Sequence, residues 1–525
     1  GFITCWCKSS PLPSPRKGTP DKVKLPLPQS LAGKAFVAFV LGAASVLGFA
    51  PFYFFPLPIV TLALLLCLWN QLERRLAAFL VGFAFGLGLF GFGTSWVYVS
   101  LHDFGAMPVL LAGIATLLFC AILALYPALA GLFLAPIKTS PLPKQLLVFP
   151  ALWVLLEWIR SWLFTGFPWL AVGYSQVPLS PLAGYAPLLG VFGVSFFCAL
   201  SAGLLSLMIG MHALRKRCLI LLIALWLAGF GLKQIEWTQP SGSALEVSLL
   251  QGNIPQEIKW REDQLVNTLE TYRRLVDEST GQLIILPETA FPLFYHHVPK
   301  IYLEKFTAHA KKTGGDILIG LPERTDNNHY YNSVLSFGSS PTQIYRKLHL
   351  VPFGEFIPLR PVFGWLLDVL QIPLLDFSRG SPEQQPLKVA GQQVAVNICY
   401  EDAFGEEVIS QLPQATLLAN FSNDAWFGKS MAPMQHLQIS QMRALETGRY
   451  MLRATNTGVT AVINPRGEVL SLLPLFTTAT LEHEVRGYAG ATPYVLWGNY
   501  AVLLLCTLVI TANFMRSRRL LSQAR

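Results

Sequence analysis

The chain has 525 residues, of which 53% are hydrophobic and only 13% charged. A soluble globular protein carries about 25% charged residues, so the deficit argues against an ordinary soluble protein and for an integral membrane one. The formal net charge of +9 does not indicate nucleic acid, because the excess sits in short runs beside apolar segments: Lys17, Lys22 and Lys24; Arg74 and Arg75; Arg215, Lys216 and Arg217; Arg516, Arg518 and Arg519.

Residues 1–30 are rich in Pro, Ser and Lys and lack periodicity, which predicts a disordered basic tail without the order of a removable signal peptide. Apolar stretches follow at 33–50, 53–70, 76–98, 107–137, 147–165, 188–211 and 217–235, with an eighth at 495–515. Each approaches or exceeds the length that crosses a hydrocarbon core of roughly 30 Å. Seven spans therefore form a bundle over 31–235. Pro51, Pro56 and Pro58 crowd the first junction, where a re-entrant pair is the alternative to two spans.

Every second connection is basic. The tail, 71–75, 138–144 and 212–217 carry Lys and Arg, whereas 51–52, 99–106 and 166–187 carry almost none. The positive-inside rule then places both termini in the cytoplasm, with 516–525 a cytoplasmic basic tail, and residues 236–494 on the outer side. Glu157 and Arg160 stand at i,i+3 spacing, which predicts a mutually satisfied pair on one helix face. Connection 166–187, with Phe167, Trp169 and Tyr174, is expected to lie flat in the outer interface.

Segment 236–494 changes character. Apolar, β-branched runs at 245–250, 283–287, 316–321, 393–399, 415–420 and 459–464 predict strands. Amphipathic patterns at 261–278, 300–312, 404–412 and 434–450 predict helices. Strands alternating with helices indicate an α/β domain.

The chain has eight cysteines, and only Cys399 lies in this polar segment. With no local partner for a disulfide, it is expected to be a free thiol. It ends the run Val394-Ala395-Val396-Asn397-Ile398-Cys399. Upstream lie Glu288, in Leu286-Pro287-Glu288, and Lys347, in Tyr345-Arg346-Lys347-Leu348-His349. A carboxylate, an ammonium and a thiol beside strands can act as base, electrostatic stabiliser and nucleophile. Taken singly, each has a plainer reading: an inert buried thiol, a surface cation, a helix cap. The Tyr400 N–H, following the nucleophile, is a candidate oxyanion donor. Glu401, two positions from Cys399, shares its strand face and would tune the Cys–Lys electrostatics or pair with Arg449 or Arg453. Trp260, Phe291, Phe353, Phe356, Trp426 and Phe427 surround these motifs and suit an apolar entrance. Phe363–Leu370, flanked by Pro361 and Pro373, reads as an amphipathic arm. Nothing suggests a metal or a cofactor: His296 and His297 are adjacent and cannot share a strand face, and no phosphate-binding Gly-loop occurs.

The strand-end Pro-Glu, the Lys-Leu-His-Leu run and the strand-end Cys-Tyr-Glu resemble the nitrilase, or carbon–nitrogen hydrolase, superfamily, which implies an αββα sandwich with a Glu-Lys-Cys triad. The finer words Gln251-Gly252-Asn253-Ile254, Tyr331-Asn332-Ser333, Lys347 to Pro358, Asn423 to Gly428 and Arg449 to Gly458 resemble its membrane-embedded branch, the apolipoprotein N-acyltransferases. No triad position departs from the pattern. The resemblance implies that Glu355 supports the lysine or the base, and that Asn332 joins Trp260, Phe353, Trp426 and Phe427 as substrate contacts. It further implies a phospholipid acyl donor, a diacylglyceryl-modified apolipoprotein acceptor, a thioester on Cys399, and a bacterial inner-membrane location with the catalytic domain periplasmic. A monomer is expected. The triad alone does not separate transfer from hydrolysis by a membrane-tethered amidase; the spans and aromatic loops favour transfer.

Overall fold

The computed structural model describes residues 28–137, 140–358, 361 and 376–523. Most of the expected basic tail and the whole Phe363–Leu370 arm lie outside these residues. Among the described residues, seven long apolar helices open the chain: α1 (Leu31–Ser45), α2 (Pro56–Trp69), α3 (Arg75–Gly93), α4 (Val109–Leu134), α5 (Phe149–Arg160), α6 (Ala186–Gly210) and α7 (Arg215–Leu232). Helices suit a lipid medium because each satisfies its own backbone groups. The Ser30 hydroxyl caps α1 by accepting from the Gly33 N–H at 3.1 Å. Where α1 crosses α3, a Cβ on Gly42 or Gly88 would collide with the backbone of the other helix, so glycine sets the close approach there.

Among the described residues, five helical segments are long and apolar enough to cross a membrane: Leu31–Gly48, Arg75–Gly93, Val109–Leu134, Pro141–Arg160 and Pro181–Gly210. That is fewer than the eight stretches expected. The helix Pro56–Trp69 has 14 residues, which at ~1.5 Å per residue reaches about 21 Å. The apolar part of the C-terminal helix, Tyr500–Arg516, is likewise short, and α7 spends its first turn on Arg215-Lys216-Arg217.

The second half folds into four layers. One sheet runs β12-β1-β2-β3-β4-β5 and the other β11-β10-β9-β8-β7-β6. The strands are β1 (Gln239–Gln251), β2 (Leu283–Ile285), β3 (Asp316–Arg324), β4 (Tyr330–Gly338), β5 (Ile344–Arg346), β6 (Leu387–Val389), β7 (Gln392–Ile398), β8 (Leu417–Ser422), β9 (Met451–Thr455), β10 (Ala461–Ile463), β11 (Val469–Leu472) and β12 (Ala479–Ala489). The triplets β1-β2-β3 and β7-β8-β9 are parallel and the remaining pairs antiparallel. Val247, Leu249, Ile285 and Val334 of one sheet meet Val394, Val396, Leu417 and Ala419 of the other in a dry core. Helices α8 (Glu262–Glu278) and α9 (Lys300–Lys312) cover the outer face of the first sheet through Leu269, Tyr272 and Phe306. The outer face of the second sheet takes α10 (Ala432–Thr447) through Leu437 and Ala444.

Helix α10 is buried on both faces. Its other side, Ile439, Met442 and Leu445, joins the core of the membrane bundle with Trp169, Tyr174 and Val191. It ends at Gly448, whose φ of +62° is left-handed and whose missing Cβ leaves room for Thr238. The chain closes with α11 (Tyr500–Gln523).

Two local expectations are corrected. Connection 166–187 does not lie flat: Trp169 and Tyr174 are buried beneath α10, and the Trp169 indole donates to Gln435 Oε1 at 2.7 Å. Glu157 and Arg160 form no direct ion pair among the described contacts. Glu157 Oε1 accepts from Trp153 Nε1 at 3.0 Å and the Val172 N–H at 2.9 Å. Arg160 Nη1 donates to the carbonyls of Phe167 at 2.6 Å and Trp169 at 2.7 Å. The short connection folds back onto its own helix and supplies partners nearer than the opposite charge.

Candidate active site

Three strand ends converge. Glu288 follows β2, Lys347 follows β5 directly and Cys399 follows β7 directly. Lys347 Nζ lies 2.9 Å from Glu355 Oε1 and 3.5 Å from Glu288 Oε1, and its side chain is 1% exposed. Asn332 Nδ2 donates to both carboxylates, at 2.7 Å to Glu288 and 2.9 Å to Glu355. The second oxygens are also held: Glu288 Oε2 accepts from the Asn423 N–H and Glu355 Oε2 from the Val351 N–H. The buried cation thus has two carboxylate partners, each itself held by further hydrogen bonds, which offsets much of its desolvation. Burial alone would lower the Lys347 pKa, but Glu355 and then Glu288 raise it, so the ammonium stays charged.

Cys399 is not on the strand. It opens a helical turn (Cys399–Ala403) with φ +53°, a left-handed conformation that a β-substituted residue disfavours. Its carbonyl is pinned from behind by Asn420 Nδ2 at 3.0 Å and His436 Nε2 at 3.2 Å. Burial and the negative charge of Glu288 push the thiol well above its ordinary pKa, and Lys347 only partly opposes them. That shift favours the protonated thiol over the thiolate.

Glu401 does not share a strand face with Cys399, because the strand ends at Ile398; nor does it pair with Arg449 or Arg453. Its carboxylate accepts from the Ile398 and Leu348 N–H groups at 2.6 Å each, from the His349 N–H at 3.0 Å and from the Tyr345 hydroxyl at 3.1 Å. Glu401 thus ties the Lys347 segment to the Cys399 turn. Burial pushes its pKa up to about 8, against the pull of Lys347 and those N–H groups. Arg449 donates instead to the carbonyls of Ala415 and Gly490. The Tyr400 hydroxyl donates to the Gly166 carbonyl at 2.9 Å.

The expected apolar contacts divide. Trp260, Phe353 and Trp426 are exposed, whereas Phe427 packs on Trp96 with ring centroids 4.8 Å apart. Phe291 is a core residue beneath α8 and α9. Asn332 faces the carboxylates rather than an open pocket.

A buried cluster escaped sequence reasoning. His436 contacts Asp402 Oδ1 at 2.9 Å and Asp424 Oδ1 at 3.0 Å, and Arg453 reaches Asp424 Oδ2 at 2.8 Å. Burial and Arg453 lower the His436 pKa, but the two aspartates more than compensate and raise it to about 9. Asp424, despite its burial, is held well below the usual carboxylate range by Arg453 and His436. Lys259, also buried, has its pKa lowered by burial to about 8, with Glu288 opposing. The word Asn423 to Gly428 contained Asp424, but a lone histidine on α10 gave no signal.

Two facing sheets with a thiol, an ammonium and two carboxylates at their strand ends, packed on an apolar helical bundle, define a protein of the carbon–nitrogen hydrolase type joined to membrane-length helices. The comparisons agree: residues 246–494 match the carbon-nitrogen hydrolase family, and residues 41–204 match the apolipoprotein N-acyltransferase N-terminal domain. The apolipoprotein N-acyltransferase of Nitrosomonas europaea is 58% identical, over 91% of this chain and 97% of its own. That of Chromobacterium violaceum is 46% identical, over 92% and 94%. Among solved structures, a carbon-nitrogen hydrolase from Helicobacter pylori is 17% identical with a TM-score of 0.35, covering 46% of this chain and 89% of that one. The chain belongs to the apolipoprotein N-acyltransferase family and is an acyltransferase.

Proposed function

We propose that Cys399 takes an acyl chain from a membrane phospholipid as a thioester and passes it to the α-amino group of the N-terminal diacylglyceryl-cysteine of an apolipoprotein. Glu288 removes the thiol proton as sulfur attacks the ester carbonyl. The S–C bond forms, the ester C–O bond breaks, and the proton leaves with the lysophospholipid. The amine then attacks the thioester, the N–C bond forms, and sulfur leaves and regains a proton through Glu288. Lys347 and the Tyr400 N–H stabilise the oxyanion in both halves. Glu355, Asn332 and Glu401 hold Lys347 and Glu288 in register, and Trp260, Phe353, Trp426 and Phe427 border the entrance for acyl chains.

The observation that carries this reading is the convergence of Glu288, Lys347 and a free, half-buried Cys399 thiol at three strand ends, with Lys347 Nζ 3.5 Å from Glu288 Oε1. The sidedness reading is that residues 236–494 form an extracytoplasmic catalytic domain on an inner-membrane bundle. In its support, connections poor in Lys and Arg touch that domain: the Ala50 N–H donates to Gln438, the Ser100 hydroxyl to the Trp426 carbonyl, and the Trp169 indole to Gln435.

The test is incubation of the purified protein with phospholipid alone, followed by mass spectrometry. An acyl adduct on the Cys399 peptide, discharged by a diacylglyceryl lipopeptide with a free amine, is the expected result. Discharge to water at the same rate would make the protein a hydrolase.

A further inference from the structure

Glu157 and Arg160 sit at the end of α5 with 6% and 3% exposure. Charged groups at membrane depth are costly and persist where they bind something specific. Here the two side chains hold one short segment, 166–172, through the carbonyls of Phe167 and Trp169 and the N–H of Val172. The Arg160 carbonyl also accepts from the Phe167 N–H at 2.8 Å. The loop that leads in is strained: Phe164, Thr165 and Gly166 all have positive φ, +54°, +75° and +86°. Three consecutive left-handed residues do not hold their shape unaided.

The far side of this segment meets the nucleophile by two routes. The Gly166 carbonyl accepts the Tyr400 hydroxyl at 2.9 Å, and Tyr400 directly follows Cys399. The Trp169 ring lies 5.5 Å from the His436 ring, and His436 Nε2 lies 3.2 Å from the Cys399 carbonyl. On the bundle side, a cavity of about 20 Å³ is lined by Phe90, Tyr126, Trp153, Glu157, Arg160 and Leu170. That volume admits one water.

We infer that Arg160, which holds the 166–172 segment together with Glu157, is a positioning residue of the acyl transfer. From inside the bundle it fixes the Gly166 carbonyl that anchors Tyr400, and so sets the oxyanion site next to Cys399. The inference rests on the thioester reading above. It gives the membrane half a part in the chemistry beyond anchoring. A purely structural staple would make the same contacts, so the test must read the rate at Cys399 apart from stability.

The experiment uses the full-length protein in phospholipid nanodiscs. The rate of acyl-adduct formation on Cys399 and the thermal unfolding midpoint are measured for wild type, Arg160→Met, Tyr400→Phe and the double variant. Each single change is expected to slow the adduct roughly 10-fold or more, with the midpoint little changed. The double variant is expected to be no slower than the slower single, because both break one line of contacts. Rate losses that multiply in the double variant, or a wild-type rate in Arg160→Met, overturn the inference. Should Arg160→Met not fold, Arg160→Lys decides: it keeps the charge but loses the planar fork, and an intermediate rate at an unchanged midpoint supports the inference, while a wild-type rate overturns it. No adduct on the wild-type protein would overturn the thioester reading itself.

Discussion

Asn332 Nδ2 stands 2.7 Å from Glu288 Oε1, and the same nitrogen reaches Glu355 at 2.9 Å. One neutral amide thus shares with Lys347 the work of keeping two carboxylates together. A hydrogen bond to a charged group contributes roughly 1.5–3 kcal/mol. Asn332→Ala is therefore expected to slow acyl-adduct formation about 10- to 100-fold. Single-turnover mass spectrometry checks this, and Asn332→Asp, which adds a third negative charge, should be worse.

Cys399→Ala is expected to abolish both half-reactions, since the other thiols among the described residues are buried in or beside the membrane helices. Cys399→Ser should be nearly as inactive, a hydroxyl being a far weaker nucleophile in a site built for sulfur. Lipoprotein acylation by the alanine variant at the wild-type level would falsify the mechanism.

Glu288→Gln keeps the shape of the side chain and removes the base, so no thioester should form while the protein still folds. Lys347→Met removes a proposed oxyanion partner and leaves Glu288 and Glu355 facing each other without a cation. A loss of roughly 100-fold or more is expected. Adduct formation at the ordinary rate in either variant would remove that residue from its role.

The His436 cluster predicts a pH dependence of stability. Its pKa is raised from 6.5 to about 9 in the folded protein. A raised histidine contributes stability that is fully present below about pH 6.5 and is lost as pH rises through about 9. The groups facing it are Asp402, Asp424 and Arg453. The thermal unfolding midpoint is expected to fall across this window, and His436→Gln should flatten the fall. A midpoint constant from pH 6.5 to 9 would contradict the charged pair of contacts.

Sidedness is tested by fusions. A reporter placed after residue 235 is expected to be active only outside the cytoplasm, and reporters at 215 or 520 only inside. The reverse pattern would put the catalytic domain out of reach of exported lipoproteins.

The layers of the catalytic domain were legible where strands are apolar on both faces. The runs at 283–287, 316–321, 393–399 and 415–420 fall on β2, β3, β7 and β8, and Glu288, Lys347 and Cys399 stood out because strands deliver them to one end. Strand β12 was not legible, since Glu482, Glu484 and Arg486 alternate along an edge strand and read as a solvated loop. The Cys399 turn was missed because the apolar run continues to Cys399, and only backbone geometry shows that the strand stops at Ile398. Span count was legible in part: five helical segments are long and apolar enough to cross a membrane, and Pro56–Trp69 and Tyr500–Arg516 are shorter apolar helices beside them. Hydropathy finds apolar stretches, but helix length is set by prolines and by the connections, as at Pro56–Trp69. The two-sided burial of α10 was hidden by its own composition: Gln435, His436, Gln438, Arg443 and Glu446 look like a solvated face, yet each has a partner outside the helix, Trp169, Asp402, the Val177 carbonyl, the Tyr174 hydroxyl and the Val191 N–H respectively.

That helix leaves the enzyme without a detachable head. Cutting the chain near residue 236 would lay bare Ile439, Met442 and Leu445 together with the amide side chains that now bond to Trp96, Ala50 and Trp169. A recombinant outer half would be a sticky fragment with an unsupported nucleophile, and inhibitor screens run on it would sample the wrong surface. The helical half holds Tyr400 and Gln435 through Gly166 and Trp169, and the smallest unit worth assaying is the whole chain in a bilayer.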